Sequence, residues 1–167
     1  MRHSIAELNR MSREEFVRVL GPVFERSHWI ANKAAESRTF ANVDELHRQL
    51  CQVVRDAPEE KQVALINAHP DLAACGAVTA ESAREQNTAG LDKLSAKERS
   101  AIQQQNGTYR EKFGFSFVIC ARLNSKDSIG KAFHERLSHC REREIQTALQ
   151  EIFKIAELRL RDLCQPD

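Results

Sequence analysis

The chain has 167 residues, enough for one domain with a sizeable core. Its 25 lysines and arginines balance 24 aspartates and glutamates, leaving a formal charge of +1, so no basic face for nucleic acid or an anionic membrane is expected. No apolar run reaches the length of a membrane span and Met1-Arg2-His3-Ser4 opens no signal peptide, so the expectation is a soluble, cytoplasmic protein.

Read in chain order, the sequence predicts helix after helix. Ser4-x-x-Glu7, Ser12-x-x-Glu15 and Ser95-x-x-Glu98 match the capping box, which satisfies amide donors at a helix start. Gly21-Pro22 interrupts the second segment, and a further helix is predicted over Ser27–Ser37. Another, from Asp44 to Arg55, carries Leu46, Leu50 and Val53-Val54 on one face. Pro58–Ala68 reads as helix, with Val63, Ala64 and Ile66 near its end. His69 follows, and Pro70 both stops the helix and pushes the residue before it toward an extended backbone. Helices are then predicted from Thr79 or Ala80 to near Gly90, from Ala96 to Phe113, and from Arg141 to Leu163. The last has an apolar stripe of Ile145, Leu149, Ile152, Ala156, Leu160 and Leu163 at helical spacing. The expected fold class is an all-α, single-domain multi-helix bundle over residues 1–167, with one short extended segment near 115–121.

That segment belongs to Phe113-Gly114-Phe115-Ser116-Phe117-Val118-Ile119-Cys120, where aromatic and β-branched residues favour an extended chain. A lone strand leaves amides and carbonyls that need partners, and a ligand can supply them. A buried apolar connector and the start of a helix are equally compatible with the residues.

The five cysteines, Cys51, Cys75, Cys120, Cys140 and Cys164, are odd in number and form no Cys-x-x-Cys pair. Neither a disulfide framework nor a structural zinc site is expected, and nothing local marks Cys75 or Cys120 as an activated nucleophile. The six histidines include no His-x-x-x-His pair, and there is no phosphate loop, nucleophile elbow or dinucleotide fingerprint. Two polar features remain. His69, placed just past a helix end, is either a cap for the exposed carbonyls or an oriented acid/base group. Ser82, Glu85 and Gln86 share a helix face, which is either solvated or a patch able to hold a small polar molecule.

Three blocks stand in a telling order: Asn67-Ala68-His69-Pro70-Asp71-Leu72, Ser82-x-x-Glu85-Gln86 before Ala89-Gly90-Leu91, and the run from Lys112 through Phe113-Gly114-Phe115 to Arg122. In this order and spacing the chain closely resembles the 2-oxo-4-hydroxy-4-carboxy-5-ureidoimidazoline (OHCU) decarboxylase family of purine breakdown. The resemblance spans nearly the whole chain, including the helix from Glu144 to Leu160. It implies a homodimeric, all-helical, cofactor-free enzyme that converts OHCU to (S)-allantoin and carbon dioxide. It implies His69 as the catalytic acid/base and Glu85 as its acidic partner. Substrate contacts are implied for Pro70, Ser82 and Gln86, and for the backbone of Phe117, Val118, Ile119, Cys120 and Ala121. An arginine of the final helix matches Arg159, with Arg161 and Arg143 as nearby alternatives. Ser116 falls where relatives can carry proline.

The chemistry suits such a site. Losing carbon dioxide leaves an electron pair that many enzymes pass to a bound cofactor. The unsaturated imidazoline ring of OHCU is its own electron sink, so the protein supplies orientation and a proton on one face. Two other classes fit parts of the sequence: a helical interaction module using the final amphipathic helix, and a ring-opening hydrolase of the ureide pathway. The second usually relies on metal-activated water, for which no ligand motif is present.

Overall fold

Short polar side chains start most of the helices, as the spacings predict. In the computed structural model, which describes residues 2–74 and 78–166, Ser4 and Ser95 form complete capping boxes with Glu7 and Glu98. The Ser12 hydroxyl accepts from the Glu15 amide. Asn42, Thr79 and Ser125 cap in the same way, each satisfying a donor that the first turn cannot pair internally. The helices are α1 (Ile5–Arg10), α2 (Arg13–Leu20), α3 (His28–Ala34), α4 (Val43–Arg55), α5 (Glu59–Ala68), α6 (Ala80–Thr88), α7 (Ala96–Phe113), α8 (Lys126–Arg136) and α9 (Arg141–Leu163). Among the described residues there is no β-sheet; an isolated parallel bridge joins His3 to Cys164. The fold is all-α. No helix among the described residues is long and apolar enough to cross a membrane.

α8 is absent from the sequence reading. Its start signal, Ser125, accepts from the Ser128 amide, but its apolar face holds only Ile129, Ala132 and Phe133 before Arg136 breaks it.

The chain forms two compact units. The first runs to Ala68 and resumes at Phe153. Here α2 packs on α3, and α3 on α4, around buried Phe16, Leu20, Ile30, Leu46 and Leu50. Gln62 of α5 donates to the Val54 carbonyl at 3.0 Å, satisfying a group at the C-terminus of α4. Cys51 lies in this core, and burial pushes its thiol up to about 12, which makes it an apolar filler.

The second unit, His69–Ile152, contains α6 to α8 and the first half of α9. Its centre is aromatic: Phe117 stacks on Phe133 with ring centroids 3.7 Å apart, and Tyr109 meets Phe117 edge-on at 5.2 Å. Gly114, in the left-handed conformation at φ 80°, ends α7 and releases the chain into the segment 115–120. Phe115 through Ala121 are all buried, and the segment pairs with no strand among the described residues.

Candidate active site

His69 sits directly after the last residue of α5, as Pro70 predicts, and is 5% exposed. The loop that follows is fastened along its length. Gln86 of α6 accepts from the Ala73 amide at 3.0 Å and donates to the Asp71 carbonyl at 3.5 Å. Asn106 of α7 donates to the Leu72 carbonyl at 3.0 Å, and Arg99 to the Ala73 carbonyl at 3.1 Å. Ala73 is in the left-handed region at φ 54°, unusual for a residue with a Cβ, and both of its peptide groups are held there.

Arg110 reaches the same loop from the next turn of α7. One Nη lies 2.8 Å from Asp71 Oδ1 and 2.8 Å from Ser116 Oγ. Asp71 belongs to the His69 block and Ser116 to the extended segment, so α7 joins two stretches far apart in sequence. The Ser82-x-x-Glu85-Gln86 block is tied in as well, because α6 packs against the turn Ala121–Leu123. Ser82 is buried on α6, with Glu85 half-buried three residues on. The second unit thus gathers His69 and Pro70, the helix bearing Ser82, Glu85 and Gln86, and the segment Phe117–Ala121.

Several backbone groups of that segment are engaged by side chains. The Val118 carbonyl accepts from Arg136 at 2.7 Å, and the Cys120 amide donates to Glu151 at 2.9 Å. The Cys120 carbonyl accepts from the Leu123 amide and the Asn124 side chain. Asn106, Arg110, Arg136 and Glu151, which hold the loop after His69 and the extended segment, were not singled out by the sequence reading. A partial signal existed, since Asn106, Tyr109, Arg110 and Phe113 share a face of α7 at helical spacing.

Arg159 belongs to the first unit. It is 7% exposed and donates to Glu25 at 3.1 Å and to the Pro22 carbonyl at 3.0 Å. Arg161 is on the surface, paired with Asp44 and Glu157 at 2.9 Å each, and Arg143 is exposed on α9. Cys120 is buried, and Cys75 falls outside the described residues. Among the described residues, no three His, Cys, Asp or Glu side chains are grouped to hold a metal.

Comparison with known proteins gives a consistent picture. A family model described as OHCU decarboxylase matches residues 9–161. A 2-oxo-4-hydroxy-4-carboxy-5-ureidoimidazoline decarboxylase of Halalkalicoccus jeotgali is 39% identical, the match covering 99% of this chain and 94% of the relative. One of Haloferax volcanii bearing the same name is 41% identical, with 94% of each chain covered. The crystal structure of an (S)-allantoin synthase shares the fold, with a TM-score of 0.81 and 23% identity over 98% of this chain and 54% of the other.

Proposed function

The chain belongs to the OHCU decarboxylase family of enzymes, and from that premise we propose that it converts OHCU to (S)-allantoin and carbon dioxide, with His69 as the acid/base group and Glu85 as its partner. The observation that carries this reading is the fastening of the His69 loop to α6 and α7 beside the extended segment.

As the carboxylate leaves, its bonding pair moves into the adjacent ring C=N unit, so no external electron sink is required. The ring nitrogen that receives the displaced pair takes up a proton. A second proton adds to the carbon bearing the ureido group, and the neighbouring enol hydroxyl loses its proton to become a carbonyl, so one proton is consumed overall. His69 delivers the proton to one face, which fixes the product's handedness. Glu85 orients the imidazole or engages the substrate hydroxyl. Pro70 limits where the imidazole can point, and Ser82 and Gln86 hold polar groups of the ureide. Gln86 also anchors the His69 loop, so it serves the site in two ways. Peptide groups of 117–121 pair with ring amides and carbonyls. Arg159 provides charge-assisted hydrogen bonding to an anionic substrate. The working form is a homodimer, which sedimentation of the purified chain checks.

The test is chirality and rate. OHCU generated in place decays without enzyme to racemic allantoin, whereas the enzyme makes one enantiomer quickly. Circular dichroism of the His69→Asn variant should show the rate fall by about 10²–10⁴-fold. Optically active allantoin at the wild-type rate would remove His69 from the mechanism. Glu85→Gln is expected to slow turnover in the same direction, and normal turnover would remove Glu85.

A further inference from the structure

A cluster of charges in the second unit holds the segment that the functional reading gives to the substrate. Glu144 is fully buried in the first turn of α9. It accepts from the Tyr109 hydroxyl, from Arg136 Nε at 3.0 Å, and from His139 Nδ1 at 2.7 Å. Arg136 Nη2 donates to the Tyr109 hydroxyl at 3.3 Å, and its guanidinium carbon lies 4.3 Å from the Phe117 ring centroid. With its Nε and Nη2 engaged and one face covered, the guanidinium is left a single direction for Nη1. That group donates to the Val118 carbonyl at 2.7 Å.

Stability alone does not ask for this arrangement. Replacing a buried ion pair with well-packed apolar side chains is often neutral or stabilising. What the ionic version adds is direction, because a planar fork of donors fixes the acceptor it meets. Here the acceptor controls more than itself. The Val118 carbonyl and the Ile119 amide share one planar trans peptide, so aiming the carbonyl at Arg136 aims the Ile119 N–H the opposite way. Glu151 does the same one peptide later. By accepting from the Cys120 amide at 2.9 Å, it aims the Ile119 carbonyl away from itself. Arg136 and Glu151 together set both hydrogen-bonding groups of Ile119, a donor beside an acceptor, which is the pattern a ring amide of a ureide requires.

We propose that Arg136, oriented by Glu144 and Tyr109, is a positioning residue for the decarboxylation. It acts through the Val118–Ile119 peptide and does not touch the substrate. The inference rests on the functional reading above and extends it to side chains that reading does not include.

The experiment measures KM, kcat and thermal stability for the purified wild type, Arg136→Lys and Tyr109→Phe, with OHCU generated in place. Arg136→Lys keeps the charge and loses the fork. It should raise KM by about tenfold while kcat changes less, because a misdirected peptide weakens binding of substrate and transition state alike. Tyr109→Phe removes only the hydroxyl that braces the fork and should raise KM by a smaller factor, about threefold. A purely structural cluster would lower the melting temperature and the active fraction and leave KM unchanged, which overturns the proposal. If Arg136→Lys does not fold, Tyr109→Phe decides. An absence of turnover by the wild type overturns the functional reading and this inference with it. Turnover with an unaltered KM in Tyr109→Phe overturns this inference alone.

Discussion

Each unit buries an arginine against a glutamate, and in each the guanidinium also donates to a main-chain carbonyl. Arg159 divides its donors between Glu25 and the Pro22 carbonyl, and Arg136 between Glu144 and the Val118 carbonyl. Both pairs are almost wholly shielded from water. They differ in what surrounds the carboxylate. Glu144 also receives Tyr109 and His139, so it is the hub of a cluster, and its arginine is sandwiched against Phe117. The lesson is that the same pair of residue types can orient a side chain or a peptide. Glu25 and the Pro22 carbonyl fix the Arg159 side chain itself, whereas Arg136 aims backbone.

The largest expected effect comes from breaking these hubs. Glu144→Ala leaves a buried guanidinium, a hydroxyl and an imidazole without their common acceptor, and should cost about 3–5 kcal/mol or prevent folding. Glu25→Ala takes from buried Arg159 its carboxylate acceptor and should also destabilise, as read from urea unfolding of both variants. An unchanged unfolding midpoint in Glu144→Ala would show that the hub adds nothing to stability. Burial pushes the Tyr109 hydroxyl well above its ordinary range, against the opposing pull of Arg136, so it acts as a neutral donor in this cluster.

The two arginines were not equally visible in the sequence. Arg159 lies in the apolar-striped α9 and was reachable through the family resemblance. Arg136 occupies a core-facing position of α8, where a charged residue cuts short the apolar pattern that would have revealed the helix. Its partner Glu144 lies beyond the next turn, in a first-turn position where acidic residues are usually taken as helix-dipole complements. Local signals did well elsewhere: the serine caps placed α1, α2 and α7, and the stripe placed α9. The extended segment was legible as extended, and a buried apolar connector was one of the readings its residues allowed. The structure buries every residue from Phe115 to Ala121, because packing partners surround the segment. Contacts such as Asn106 with Leu72, 34 residues apart, have no local signature at all.

That contact gives the second prediction. Asn106→Leu conserves volume but leaves the buried Leu72 carbonyl without its donor, at a cost of about 1–3 kcal/mol. It also loosens the loop that follows His69. The expected outcome is a fall in kcat that exceeds the loss expected from the unfolded fraction alone, measured by turnover at a temperature where the variant is fully folded. Unchanged kcat would mean that Gln86, Arg99 and Arg110 hold the loop unaided, and that the Asn106 contact is redundant.

The smallest effect sharpens the contrast from the opposite side, at an ion pair of the same unit that water reaches. Glu98 lies 2.8 Å from Lys126 and caps the start of α7 through Ser95. The hydrogen bond from Lys126, followed by those at Ser95, holds its carboxyl down to about 2 from an ordinary value of 4.5. A lowered carboxyl stabilises the fold above the unfolded value and loses that contribution as pH falls through the folded one. The melting temperature of wild type should therefore exceed that of Glu98→Gln at neutral pH, with the difference shrinking between about 4.5 and about 2. High salt should shrink it as well, because both side chains are more than 40% exposed and screening acts on such pairs. The Glu144 cluster should keep its contribution in the same salt, since screening scarcely reaches buried charges. A salt response shared by both sites would mean that Arg136 and Glu144 are hydrated in solution, and the aim of the Val118 carbonyl would then need another cause.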